Sequence, residues 1–147
     1  MPTLLANVAA TWFLVGLIWM VQVVHYAQFD GVGADGWASY HTRHTRNITL
    51  IVGPAMLVEL VSAIALIWLA PKGVPVWMIW AGLGGVAVLW LSTALVQVPM
   101  HNTLATGFDA AIGRRLVLTN WLRTAVWTGR GVLVLWMLKC AFDNVRA

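Results

Sequence analysis

Long apolar segments separated by short polar stretches make up most of the sequence. They run roughly over residues 4–29, 48–70, 74–100 and 116–138. A helix needs about 20 apolar residues to cross a bilayer, so each segment is long enough to span one. Backbone groups in hydrocarbon must bond within their own segment, which favours helices. The pattern therefore predicts an all-α membrane protein, built as an antiparallel bundle of four transmembrane helices.

The polar stretches predict where the helices begin and end. A glycine-rich loop at residues 31–36 ends the first helix, and the second restarts near Trp37. The predicted spans are then about 4–29, 37–70, 74–101 and 116–138. Residues 109–115 are expected to form a polar connection. Such short connections leave room for one domain, residues 1–147, and for no separate soluble module.

Composition supports a membrane protein. The chain is 61% hydrophobic and only 10% charged, whereas a soluble domain carries about 25% charged residues. The net charge of +4 is spread over the helix ends, which indicates contact with anionic lipid head groups and not with nucleic acid. The first apolar segment exceeds the about 7–15 residues typical of a signal peptide, so we expect it to remain as a span. Cys140 is the only cysteine, which excludes an internal disulfide.

Antiparallel connectivity gathers the histidines at one end of the bundle. The first and third spans end on the side where the second and fourth begin, and both chain termini lie on the other side. His41 and His44 also share a helix face, because they are three residues apart. The groups predicted to meet at this end are His25, His41, His44, His101, Asn102 and Asn120.

The basic residues give a prediction of orientation. Arg43, Arg46, Arg114 and Arg115 flank the histidine end, and Lys72, Lys139 and Arg146 flank the other. Cytoplasmic loops carry an excess of Lys and Arg, so four against three favours a cytoplasmic histidine end. We expect the chain to reside in a bacterial inner membrane.

A carboxylate lies in the middle of the second span. Glu59 there costs roughly 2.5–3.5 kcal/mol to insert, so it needs a partner or a proton. In the fourth span, Asn120, Arg123, Trp127 and Arg130 form one helical stripe. The depths fit an ion pair of Glu59 with Arg123 or with Arg130. Glu59 is either such a structural partner or a carboxylate that relays protons or binds substrate.

Imidazole suits copper, iron, zinc and haem iron. His25, His41, His44 and His101 are therefore candidate ligands of a transition metal, or two of them could ligate haem with Arg43 or another arginine on its propionates. The alternative is that they are ordinary interfacial histidines, which we favour for His41 or His44 taken alone.

Two further residue types bear on ligand binding. Trp37 and Trp121 could stack on a flat aromatic ligand, although most of the tryptophans fit an interfacial belt. Asn102 and Asn120 could hold a ligand, cap helix ends or bond across helices.

The second half of the chain also carries a recognisable pattern, which covers roughly residues 85–135. Its motifs are Val98-Pro99-Met100-His101-Asn102-Thr103-Leu104 and Asn120-Trp121-Leu122-Arg123-Thr124. They resemble the anthrone oxygenase-like family of small four-helix membrane proteins. In that family a proline, one or two asparagines and a leucine end the third span, and Arg-Thr follows in the fourth. His101 stands where many members have the first asparagine.

The resemblance implies a four-helix fold and a polar pocket at one end of the bundle. A few fungal members oxidise polycyclic anthrones to anthraquinones with dioxygen. The favoured function is thus a membrane oxidoreductase or oxygenase with a metal, a haem or a small aromatic, quinone-like substrate. The predicted catalytic residues are His101, Asn102, Arg123 and Glu59. The other predicted binding residues are Arg43, Asn120 and Trp121. The predicted metal ligands are the four histidines, His25, His41, His44 and His101.

Two other functions remain open. The chain could be a non-catalytic small subunit or assembly factor of a larger membrane complex, in which the glycines of the third span serve helix contacts. It could also be a carrier, and four spans would then call for a homo-oligomer.

Overall fold

The computed structural model describes residues 1–146, apart from the Asp30 side chain. These residues form helices and turns without any strand. The α-helices are α1 (Pro2–Met20), α2 (Ala34–Leu69), α3 (Val76–Ser92), α4 (Val98–Leu104) and α5 (Ala110–Arg146). A π-helical turn, Val21–His25, and a 3₁₀ turn, Tyr26–Gly31, extend α1, and a second π-helical turn, Thr93–Gln97, joins α3 to α4.

The helices combine into four segments that are long and apolar enough to cross a membrane. They are Pro2–Phe29, Ala34–Leu69, Val76–Leu104 and Ala110–Arg146. Around the bundle, α1 packs on α2 and α5, and α3 packs on the same two helices from the opposite corner. The predicted all-α fold with four helices is confirmed.

Two predicted helix boundaries are wrong. The second helix begins at Ala34, before Trp37. The fourth begins at Ala110, so most of the predicted connection at residues 109–115 is helical. The cause is Asp109, whose Oδ1 accepts hydrogen bonds from the backbone N–H groups of Ala111 (2.7 Å) and Ile112 (3.1 Å). This cap starts the helix two turns before its apolar run.

A buried ion pair holds the middle of the bundle together. Arg130 Nε donates to Glu59 Oε1 at 3.1 Å, and both side chains are almost fully buried. Arg130 Nη1 donates to the carbonyl oxygen of Gly82 in α3. Its Nη2 lies 3.4 Å from Asn7 Oδ1 and Thr11 Oγ1 in α1. One guanidinium therefore connects α5 to the other three spans.

Glu59 has further donors beside Arg130. Thr11 Oγ1 donates to Oε1 at 2.9 Å, and Trp127 Nε1 donates to Oε2 at 3.1 Å. Of the two ion pairs that the sequence allowed, the structure contains the one with Arg130, while Arg123 bonds elsewhere. The ion pair separates an apolar cluster near the termini from the half of the bundle that carries the histidines.

Candidate functional site

A cavity of about 260 Å³ lies in the histidine half of the bundle and is walled by all four spans. Half of the 18 lining residues are aliphatic side chains or glycine, such as Leu14, Ile18 and Met56. The other nine lining residues are polar or aromatic. These are Tyr26, His44, Thr49, Trp90, Thr93, Gln97, His101, Arg123 and Trp127. A mostly apolar cavity with a few convergent polar groups is the usual form of a small-molecule site.

Two π-helical turns border the cavity and set the direction of its polar residues. The first, Val21–His25, ends just before Tyr26, and the second, Thr93–Gln97, lies one turn before His101. Each π turn widens the helix locally and rotates the residues after it, which is why such turns often mark functional sites. Here they leave Tyr26 and Gln97 buried against the cavity, at 5% and 2% exposure.

The histidines predicted to meet at this end do so. His25 Nε2 lies 2.7 Å from His44 Nδ1, and His41 Nε2 lies 3.2 Å from His101 Nδ1. The ring centres of His44 and His101, which both line the cavity, are 5.7 Å apart and link the two pairs. The four imidazoles thus form one cluster, although His25 and His41 are behind the cavity wall.

Tyrosines extend this cluster at both ends. Tyr26 Oη lies 3.4 Å from His101 Nε2 at the cavity, and Tyr40 Oη lies 3.5 Å from His25 Nε2. Tyr40 is only partly buried and lies near the polar end of α2. Groups that carry exchangeable protons therefore extend from the cavity wall to the outer end of the bundle, although the stacked pair His25 and His44 interrupts a continuous hydrogen-bonded chain.

The close pair of His25 and His44 has an unusual geometry. Their ring centres are 4.3 Å apart and their planes differ by 27°, so the rings are stacked. An imidazole N–H lies in the plane of its ring, so stacked rings cannot form a straight N–H···N bond. Among the described residues, nevertheless, no three His, Cys, Asp or Glu side chains are arranged to hold a metal ion. The metal and haem expectations stay predictions.

Arg123 is the charged group of the cavity wall. It is 7% exposed, its Nη1 donates to Asn120 Oδ1 at 3.0 Å, and its guanidinium carbon lies 5.0 Å from the centre of the Trp127 ring. Within the described residues, Arg123 has no carboxylate partner, and its Nε has no hydrogen-bond partner. The site therefore has a buried positive charge that is not paired with a carboxylate of the described residues.

Other polar atoms of the wall are also unpaired. Among the buried side chains of residues 1–146, Gln97 Oε1 and Trp90 Nε1 have no hydrogen-bond partner. Both residues line the cavity with Arg123. Buried polar groups are nearly always bonded, and leaving one unpaired costs about 1–3 kcal/mol. Residues of the cavity wall therefore carry two unpaired donors, Arg123 Nε and Trp90 Nε1, and one unpaired acceptor, Gln97 Oε1.

The other residues predicted from the sequence have different positions. Asn120 is fully buried behind Arg123, and its Nδ2 donates to Gln22 Oε1 at 2.8 Å, so it positions the guanidinium without lining the cavity. Arg43, Asn102 and Trp121 are exposed and do not line the cavity. The indole of Trp121 contacts Trp19 edge-on, at 5.7 Å between ring centres.

Glu59 and Trp37 are also away from the cavity wall. Glu59 bonds inside the ion-pair network, and Trp127 is the shared neighbour that separates this network from the cavity. Trp37 is buried and donates from Nε1 to the backbone oxygen of Leu104 at 2.6 Å, with its ring 5.4 Å from that of His41. Its contacts fix the histidine end of α2 against the end of the third span.

Sequence reasoning assigned no role to Tyr26, Trp90, Gln97 or Trp127. Spacing offered one signal: Gln97 is four residues before His101, so both occupy one side of the third span. Trp127 belongs to the predicted polar stripe of α5, and that stripe is buried throughout. No residue pattern indicated the indole of Trp90.

No family model, curated protein or solved structure matches this chain. The resemblance to the anthrone oxygenase-like family therefore stays a prediction. The chemistry open to the residues depends on the site itself, which combines an apolar cavity, a buried arginine, an amide oxygen and a cluster of four imidazoles.

Proposed function

We propose that this protein is a membrane oxidoreductase-like protein whose cavity binds a phenolic or quinone-like ring compound. The observation that carries the proposal is Arg123, a buried guanidinium on the cavity wall without a carboxylate partner among the described residues. A charged side chain inside a bilayer is costly unless it is paired, and it usually marks a functional site.

The ligand that best complements Arg123 has an oxygen that carries negative charge or accepts strong hydrogen bonds. A phenolate or a quinone carbonyl meets this requirement, and Trp90 Nε1 is a second donor for such an oxygen. Gln97 Oε1 accepts a hydrogen bond from a ring hydroxyl. The aliphatic wall and the Trp127 ring cover the faces of the ring, where apolar burial contributes about 25 cal/mol per Å².

The histidines move protons between this ligand and the outer end of the bundle. His101 lies on the cavity wall and contacts both Tyr26 and His41, while His44 contacts His25. Reduction of a quinone to its hydroquinone takes up two electrons and two protons; the electrons would come from a separate reductant, and the residues of this site supply the protons. An imidazole beside the ligand is suited to take or supply that proton as a general base or acid.

Ligand binding by the purified protein in lipid nanodiscs tests this function. The probe is a naphthoquinone without a side chain, titrated by calorimetry against wild-type protein, Arg123→Met and Gln97→Leu. A hydrogen bond to a charged group contributes about 1.5–3 kcal/mol, so Arg123→Met is expected to raise Kd about 10- to 100-fold. Gln97→Leu is expected to affect the hydroquinone more than the quinone.

Arg46→Met is the matched control, because it removes the same charge from an exposed position at the same end. It is expected to leave Kd unchanged. If wild-type protein binds no ring compound, or if both arginine variants bind equally well, the proposal is wrong. A folded protein without ligand that co-purifies with larger membrane proteins would favour the small-subunit alternative.

A bound transition metal is the second candidate, and the stacked contact of His25 Nε2 with His44 Nδ1 favours it. The two nitrogens could both bind one cation after moving apart to the roughly 3.3 Å that tetrahedral ligands at about 2.0–2.1 Å from a metal require. An absorption spectrum and metal analysis by mass spectrometry decide between the candidates. Stoichiometric copper, iron or zinc that is lost in His44→Ala would support a metal, as would a Soret band for haem.

We also propose that the histidine end faces the cytoplasm of a bacterial inner membrane, from the distribution of basic residues. Cys140, the only cysteine, lies towards the opposite end of the bundle and is partly exposed. A membrane-impermeant maleimide is therefore expected to label intact spheroplasts at Cys140. Labelling only after lysis would reverse the orientation.

A further inference from the structure

The cavity has a mouth, and its position between two helices indicates how a ligand reaches it. Among the lining residues, Thr49 of α2 and Val98 of α4 are exposed, while Val52 and Thr93 beside them are half-buried. The α1 and α5 residues Ile18 and Trp127 that form the back of the cavity are buried. The opening is thus between α2 and the Thr93–Leu104 part of the third span.

Helix contacts account for this opening. The backbone of α2 packs closely on α3. It stays further from the second π-helical turn and from α4, because these two elements pack on α5. Side chains nearer the histidine end, including His41 with His101, close the top of the gap. The remaining gap is a lateral window below the histidine cluster.

The window lies in the apolar zone of the bundle. Its α2 edge consists of residues 48–53, the first two turns of the apolar run, so it reaches about 8 Å into that run. Leu50 and Leu95 beside it are 66% and 70% exposed, which is typical of lipid-facing positions. The exposed basic residues of α2, Arg43 and Arg46, precede the window on its aqueous side.

We propose that the ligand is a membrane-dissolved compound with an apolar tail, which enters sideways from the bilayer and keeps its tail between α2 and the third span. This inference rests on the proposed function of the cavity. A volume of about 260 Å³ accommodates a compact ring head group but not a long chain as well, so a tail must leave through the window. Aliphatic and small residues at Ile48, Val52 and Gly53 suit such a tail.

The test compares two probes of identical ring: a naphthoquinone with a long alkyl tail and the same ring without one. Gly53→Leu fills the window from α2, where a new Cβ meets no atom within 4 Å. Gly16→Leu is the matched control, because Gly16 is a helical glycine with equally open surroundings that does not line the cavity. Val98→Trp narrows the window from the other edge, should Gly53→Leu fail to fold.

Wild-type protein is expected to bind both probes, the tailed one at least as tightly. Gly53→Leu and Val98→Trp are each expected to weaken the tailed probe about tenfold or more, as one added side-chain group can in an apolar pocket, and to change the tailless probe much less. Gly16→Leu should match the wild type.

The outcomes separate the two proposals. If neither probe binds wild-type protein, the proposed function is wrong, and so is the proposal that depends on it of entry through the lateral window. If only the tailless probe binds, or if Gly53→Leu behaves like Gly16→Leu with the tailed probe, the cavity function stands and the lateral window is refuted.

Discussion

Replacing Arg130 by methionine tests whether one guanidinium unites the four spans. The variant leaves Glu59 fully buried without its cation, and it removes the hydrogen bond to Gly82. Breaking one side of a buried ion pair costs about 3–5 kcal/mol. Glu59 keeps Thr11 and Trp127 as donors, which places the expected loss near the lower figure, about 3 kcal/mol.

The assay is reversible unfolding in mixed micelles, followed by tryptophan fluorescence, with the free energy of unfolding extrapolated to zero denaturing detergent. Lys139→Met is the control, because Lys139 forms an exposed pair with Asp143 and its loss should not change stability measurably. The double variant Glu59→Gln with Arg130→Met should recover part of the loss, since it no longer buries an unpaired charge. If Arg130→Met costs less than about 1 kcal/mol, or if the double variant is no more stable than the single, the reasoning is refuted.

Two further substitutions probe the bundle. Gly85→Ala places a Cβ 2.9 Å from Cδ of Arg130 and is expected to lower the melting temperature. In the control Gly84→Ala the new Cβ meets no atom within 4 Å, so the melting temperature should stay unchanged or rise. Equal effects of the two variants would contradict the close packing of Gly85 against Arg130. Trp37→Phe removes the donor to the Leu104 carbonyl and is expected to cost about 1–3 kcal/mol of unfolding free energy in the same detergent assay; an unchanged value would show that the 2.6 Å contact contributes little.

The four-span bundle and the histidine cluster follow from the sequence because hydropathy and antiparallel connectivity determine them. The lengths of the helices determine which residues lie at each end of the bundle. His25, His44 and His101 could therefore be assigned to the same end without knowledge of their side-chain contacts. The start of α5 escaped prediction because Asp109 caps a polar segment that hydropathy treats as a connection.

The partner of Glu59 could be narrowed but not chosen from the sequence. Arg123 and Arg130 are seven residues apart on one face of α5, so either could point towards α2. The choice depends on the neighbours from other spans, Asn7 and Gly82, which bond the outer nitrogens of Arg130. Such contacts between helices cannot be read from the sequence of α5 alone.

The cavity wall was the least predictable part. Asn102 was expected at the site from the antiparallel topology, and Trp121 was expected as a ring that could stack on a ligand, yet both are exposed. The π-helical turns Val21–His25 and Thr93–Gln97 change the direction in which the following side chains point. The amino-acid composition of these two turns does not predict a π-helical conformation. Counting in steps of 3.6 across such a turn, for example from α3 to His101, therefore gives the wrong face.

The two buried arginines of α5 have a consequence for how the chain is made. Each costs about 2.5–3.5 kcal/mol at the centre of a lone helix, so Arg123 and Arg130 together oppose release of this segment into lipid. The partners of Arg130, Glu59 and Asn7 among them, belong to segments synthesised earlier. The last helix is therefore expected to leave the translocon only in contact with its predecessors, and a fragment beginning at Ala110 should fail to integrate when expressed by itself.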